Sequence, residues 1–153
     1  KMLTATTEET QLVNKSIINS FKENYTFSDV LFLYDYDMSR VDAGERQGYF
    51  LRSDFTIDTT LSLPDTPFLI AQIGRIDVET SIVYGLVITD AQSKHLKSPF
   101  PYAQKMGGFF YNIERIFSGD NAIKKHYNKV IQRLNIKLAK YYQITQKDCY
   151  PCP

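Results

Sequence analysis

The stretch Phe55-Thr-Ile-Asp-Thr-Thr-Leu-Ser-Leu63 alternates along its whole length, with Phe55, Ile57, Thr59, Leu61 and Leu63 on one parity and Thr56, Asp58, Thr60 and Ser62 on the other. A period of two puts the first set on the inner face of an antiparallel strand and leaves the second to water. Working outward, Leu63-Pro-Asp-Thr-Pro67 is turn chemistry, since Pro fixes φ and Asp bonds local backbone. A strand resumes at 68–73, Gly74-Arg75 breaks it, and a further run at 76–89 alternates Ile76, Val78, Thr80, Ile82 and Tyr84 with Asp77, Glu79 and Ser81. Upstream, residues 29–36 are apolar and aromatic enough for a buried strand, and 37–48, with two Gly, read as a polar connection. Close-set strands without intervening helices predict an antiparallel meander of four to five strands.

Helices flank this region. Thr6-x-x-Glu9 has the form of a capping box, followed by Leu12, Val13, Ile17 and Phe21 at helical spacing, which predicts a helix over 7–23. After a Ser118-Gly-Asp120 start, Ile123, Tyr127, Val130, Ile131, Leu134, Leu138 and Tyr141 form one apolar helical stripe. Lys125, Lys129, Arg133, Lys137 and Lys140 form a second stripe, and no acid stands between Asp120 and Asp148. Like charges at i, i+4 repel by a few tenths of a kcal/mol each, so an anionic partner would relieve the stripe. The sequence therefore predicts an α+β fold, its sheet packed by an N-terminal helix and a long C-terminal amphipathic helix, with 1–153 as a single domain.

Composition narrows the function classes. The chain has 153 residues, 43% of them apolar, enough to bury a core without staples. Its longest apolar runs, 30–34 and 68–71, are far below the roughly 20 residues of a membrane span. The start is polar rather than basic and apolar, so no signal peptide is read in it. Net charge is +1, but unevenly placed: residues 1–120 hold eleven Lys/Arg against sixteen Asp/Glu, and 121–153 hold seven against one. Such segregation points to a pairing of the basic tail with an acidic surface, in the same chain or in a partner.

Several motifs carry residue types that could do chemistry. Asp35-Tyr-Asp37-Met-Ser39 after an apolar run resembles the first motif of the haloacid dehalogenase-like phosphatases. That resemblance implies Asp35 as nucleophile, Asp37 as general acid and Mg²⁺ as cofactor. It also requires a parallel sheet with alternating helices and a second carboxylate soon after a Gly-Asp, whereas Gly119-Asp120 is followed by Lys124-Lys125. Read as a calcium loop, the same acids place Arg40 where the turn needs Gly and Arg46 where a bidentate Glu is needed. Residues 67–74, 88–92 and 126–128 look like the back half of the sialate O-acetylesterase-like hydrolases, with His126 as base. The Ser nucleophile block has no counterpart, and no Asp stands three residues before His126. No metal site and no cofactor is expected.

Cys149-Tyr-Pro-Cys152 has redox-motif spacing, but a reactive first Cys needs a helix N-terminus after it, and one residue remains. A local disulfide, or pairing with another chain, fits better and favours a secreted or cell-envelope setting. Asn14-Lys-Ser16 and Asn24-Tyr-Thr26 match the glycosylation sequon. Eleven Tyr and ten Phe with no Trp add a large aromatic inventory, with Tyr102, Tyr141 and Tyr142 as candidate contact residues.

The first functional expectation is therefore a non-enzymatic binding or assembly domain that contacts a protein partner or its own copies. It would do so through Lys125, Lys129, Arg133, Lys137 and Lys140 together with exposed aromatics. The alternatives are a hydrolase of esterase or phosphatase type, using His126 or Asp35 and Asp37, and a nucleic-acid-binding module. The acidic body disfavours the last.

Overall fold

A computed structural model describes residues 2–78, 81–106 and 109–148, with side chains placed for 10–74, 84–106 and 121–143. The chain forms two compact units, Lys1–Phe27 with Leu69–Pro153, and Ser28–Phe68. The larger unit is α+β: helix α1 (Met2–Asn24), strands β1 (Ile70–Val78), β2 (Ser81–Thr89) and β3 (Ala103–Lys105), and helix α3 (Phe109–Asp148). The smaller unit holds a 3₁₀ turn (Asp35–Asp37) running into the short helix α2 (Met38–Asp42).

The sheet has three strands in the order β1-β2-β3, both neighbours antiparallel, in place of the four to five expected. The expected break at Gly74 does not occur. Gly74 pairs with Gly85 in an unbroken β1–β2 ladder running from Ile70↔Thr89 to Val78↔Ser81. The expected single run over 76–89 is instead a hairpin, because the chain reverses between Val78 and Ser81. β2 is the central strand, and its Leu86, Val87 and Ile88 are all buried, which is how a strand with neighbours on both sides differs from an edge. Residues 97–108, whose Pro99-Phe-Pro-Tyr102 and Gly107-Gly108 read as a loop in the sequence, contain β3, which pairs Ala103 with Val87 and contacts α3.

The stretch 55–63 is not a strand, although its alternation is strict. Asp54 Oδ1 accepts hydrogen bonds from the Thr56 amide (3.0 Å) and hydroxyl (2.6 Å), and Asp58 Oδ1 repeats this with the Thr60 amide (3.0 Å) and hydroxyl (2.6 Å). Two Asp-x-Thr turns in succession reproduce a period of two while bending the backbone the other way. Phe55 lies at φ 67°, outside any strand conformation. Isolated bridges remain, Leu51 with Ile57 and Gln47 with Ser62.

Residues 29–36 likewise do not form a strand; a single bridge joins Phe32 to Leu51 before Asp35 starts the 3₁₀ turn. In the expected connection 37–48, α2 closes on the Ala43 and Gly44 amides, which donate to the Ser39 and Val41 carbonyls. Gly44 at φ 81° and Gly48 at φ 87° supply the left-handed backbone that ends this helix and turns the chain toward the buried Tyr49, Phe50 and Leu51.

Both terminal helices are longer than their sequence signals. α1 begins ahead of Thr6, and α3 runs straight through Ser118-Gly-Asp120 for 40 residues. The apolar stripe of α3 is the core of the larger unit: Ile123, Tyr127, Val130, Ile131, Leu134 and Leu138 are all buried. α1 buries Ile18 and Phe21 together with the small Ser16 and Ser20.

A row of side-chain amides joins the two helices. Ser20 Oγ donates to Asn128 Oδ1 (2.6 Å), Gln132 Nε2 donates to Asn24 Oδ1 (2.8 Å), and Asn135 accepts from the Thr26 amide (3.0 Å). Residue numbers rise together along both helices, so α1 and α3 run parallel. A 3.4 Å ion pair between Lys124 and Glu23 lies on the same seam. Asn24, the second sequon asparagine, is held on both sides, since its Nδ2 also donates to the Ser20 carbonyl.

Candidate functional site

Three stripes divide the surface of α3. The apolar one is buried, and the amide stripe Asn128, Gln132 and Asn135 at i, i+4, i+7 faces α1. The basic one is exposed at every position, Lys125, Lys129, Arg133, Lys137 and Lys140. Among the described residues, Lys129, Arg133, Lys137 and Lys140 have no ion-pair partner; the cation that does pair with α1, Lys124, belongs to the amide seam.

Ile136 stands within the basic stripe. It follows Arg133 by three and precedes Lys140 by four, so helical geometry puts it on their face, and it is 65% exposed. An isolated exposed apolar residue is ordinary. One ringed by four cations on a rigid helix has the composition of a small contact centre with a charged rim. In the sequence Ile136 is overshadowed by the cations, and its signal is its register: Lys129, Arg133, Ile136 and Lys140 follow i, i+4, i+7, i+11.

The aromatic candidates are placed differently. Tyr141 is partly buried, its ring edge-on to Phe100 (5.4 Å between centroids) and to Tyr142 (5.5 Å). Tyr142 is 42% exposed and tilts against Phe27 at 4.9 Å, and Phe27 continues through Tyr25 to Phe21. These rings form a ladder between the ends of α1 and α3 and the loop before β3. Tyr102 is partly buried, and its carbonyl accepts from the Ile88 amide. Of the three tyrosines, Tyr142 alone is exposed.

Asp35 and Asp37 lie in the 3₁₀ turn of the Ser28–Phe68 unit. Asp35 is exposed, whereas Asp37 is buried and sits 3.7 Å from Arg40. Arg40 is the hub of that unit: it binds Glu45 at 2.7 Å, donates to the Gly48 carbonyl and lies 4.7 Å over the Tyr49 ring. Burial raises the Tyr49 phenol above its ordinary pKa, and its hydroxyl donates to the Glu45 carbonyl. Asp37 is thus committed to a structural network. His126 is a partly buried residue of α3 with its ring edge-on to Tyr127 at 5.7 Å. The described strands are antiparallel, so the parallel sheet required by the phosphatase resemblance is not found among them.

Among the described residues no group of three or more His, Cys, Asp or Glu side chains could hold a metal ion, and no helix is long and apolar enough to cross a membrane. Cys149 and Cys152 lie outside the described residues. No protein-family model matches the chain, and neither a curated protein nor a solved structure matches it.

Proposed function

We propose that the protein is a non-enzymatic binding or assembly domain that contacts another protein through the basic face of α3. One observation carries this reading: Lys129, Arg133, Lys137 and Lys140 stand exposed around the 65% exposed Ile136 on a helix whose opposite face is buried. The helix is already anchored by its apolar and amide stripes, so the basic face contributes nothing to packing. Three consecutive i, i+4 like-charge pairs, from Lys125 to Lys137, cost on the order of 1 kcal/mol together, and an acidic protein surface would relieve that cost.

The patch is a strip one helix wide, about 10 Å, and about 22 Å long over residues 125–140. That is well short of the roughly 800 Å² per partner of a standard interface. The contact is therefore weak, fast and sensitive to salt.

Fluorescence anisotropy with two labelled probes tests the proposal: a Glu-rich helical peptide carrying Leu at i, i+3 and i+7, and a duplex DNA. The expected result is saturable binding of the acidic peptide, weakened at least about tenfold by Arg133→Glu/Lys137→Glu, as for a charged rim. Tighter binding of the duplex than of the peptide, with a steep salt slope, would replace a protein partner with a nucleic acid.

A further inference from the structure

The excess negative charge of residues 1–120 is confined to one place. The Ser28–Phe68 unit holds eight Asp/Glu against three Arg, whereas the remaining residues of 1–120 are balanced at eight of each. All three Arg of that unit are used within it: Arg40 on Asp37 and Glu45, Arg46 on Asp65, and Arg52 on Asp58. Exposed Asp29, Asp35 and Asp42 are left without an ion-pair partner among the described residues. Beside Asp35 stands Tyr36, 72% exposed and stacked on Tyr34 at 5.1 Å. The charge of this unit is the counterpart of the α3 face: unmatched acids and an exposed Tyr36 against unmatched bases and an exposed Ile136.

Resting on the reading of α3 as a protein-contact face, we infer that its partner is a second copy of this chain, whose acidic Ser28–Phe68 unit docks on Lys129, Arg133, Ile136, Lys137 and Lys140. The two patches differ, so the contact is heterologous. Each docked copy leaves one acidic and one basic patch unused, and assembly continues into a ring or an open chain according to the angle between successive copies.

Sedimentation velocity over a concentration series, from about 10 µM to about 1 mM, is the test, since a patch of this area gives weak association. At about 20 mM salt the average mass of the wild type rises with concentration, and at about 500 mM salt the rise is abolished, because a short Debye length removes attraction between exposed charges. Two variants make the test specific: Lys129→Glu/Arg133→Glu/Lys137→Glu, acidic on both patches, and Asp29→Lys/Asp35→Lys/Asp42→Lys, basic on both. Each alone stays monomeric, and a 1:1 mixture associates at least about tenfold more tightly than either.

A wild type that remains monomeric throughout the low-salt series overturns the inference, as does self-association that both variants retain. Binding of the acidic peptide by a monomeric wild type, lost in the α3 variant, would leave the contact face standing and remove only the second copy as its partner.

Discussion

Ser20 Oγ and Asn128 Oδ1 lie 2.6 Å apart, one on a fully buried residue of α1 and the other 108 residues later on α3. This bond heads the amide row between the two helices, with its donor fully buried and its acceptor partly so. Ser20→Ala leaves the Asn128 carbonyl without its donor and is expected to cost about 1–3 kcal/mol in denaturant unfolding. Ser20→Ala/Asn128→Ala should cost less than the two single changes added together, because the second truncation removes the orphaned acceptor. Additive losses would show that the pair is not coupled.

The faces of α3 should answer truncation in opposite ways. Ile131→Ala and Leu134→Ala open cavities behind residues that are 1% and 2% exposed, and each is expected to lose about 2–5 kcal/mol. Ile136→Ala, on the same helix, should change stability by less than about 0.5 kcal/mol, since it removes little buried surface and Ala is the better helix former. Thermal unfolding of the three variants separates the core stripe from the contact stripe.

Backbone conformation supplies a pair of changes with opposite signs. Gly44 lies at φ 81° with open space around the position of a Cβ, so Gly44→Ala meets no clash and suffers only the left-handed penalty, on the order of 1–2 kcal/mol. Exposed Ser93 lies at φ 58° in the turn closed by Asp90, and Ser93→Gly removes that penalty there. The loss of unfolded-chain order offsets part of the gain, so stabilisation of a few tenths to about 1 kcal/mol is expected. Chemical denaturation midpoints should move down for the first variant and up for the second.

Asp58 gives the Ser28–Phe68 unit a pH limit. The Arg52 guanidinium at 2.8 Å, then the Thr60 hydroxyl and amide, hold its carboxyl well below the usual range, and the Thr56 hydroxyl and amide lower Asp54. A carboxyl whose folded pKa is depressed stabilises the fold fully above its unfolded value of about 3.9, and that contribution is lost as pH falls below it. The Thr56 and Thr60 amide resonances should therefore hold constant down to about pH 4 and shift only below it. Asp58→Asn should flatten the Thr60 titration and leave that of Thr56 in place.

The two long helices were legible because their signals are strong and local. An apolar stripe repeated over five turns of α3 admits one arrangement, and all of its members from Ile123 to Leu138 are buried. The sheet was legible as antiparallel, and strand was read over most of β1 and all of β2, but the strand number and bounds were not legible. Residues 55–63 carry the same period as a half-buried strand because Asp54-x-Thr56 and Asp58-x-Thr60 repeat at even spacing. The Asp at the head of each pair was the available clue, since its side chain competes for the backbone amide two residues on. Gly74 looked like a break because its partner was unknown; opposite Gly85 it is a position in a continuous ladder.

At the candidate site, charge drew attention to the lysines and away from Ile136 and the amide stripe. Amides at i, i+4 and i+7 between an apolar and a basic face are the mark of a polar helix–helix seam, and Asn128, Gln132 and Asn135 carried it. The tyrosines were harder to assign, because ring stacking between chain segments leaves no periodicity to read.

The parallel course of α1 and α3 governs how the chain comes off the ribosome. α1 is made first, yet the side chains that complete its inner face follow more than a hundred residues later. At about 5–20 residues per second, α1 waits roughly 5–20 s with Ile18 and Phe21 uncovered. In that interval the uncovered face of α1 is open to non-native segments of the nascent chain or to an attending chaperone.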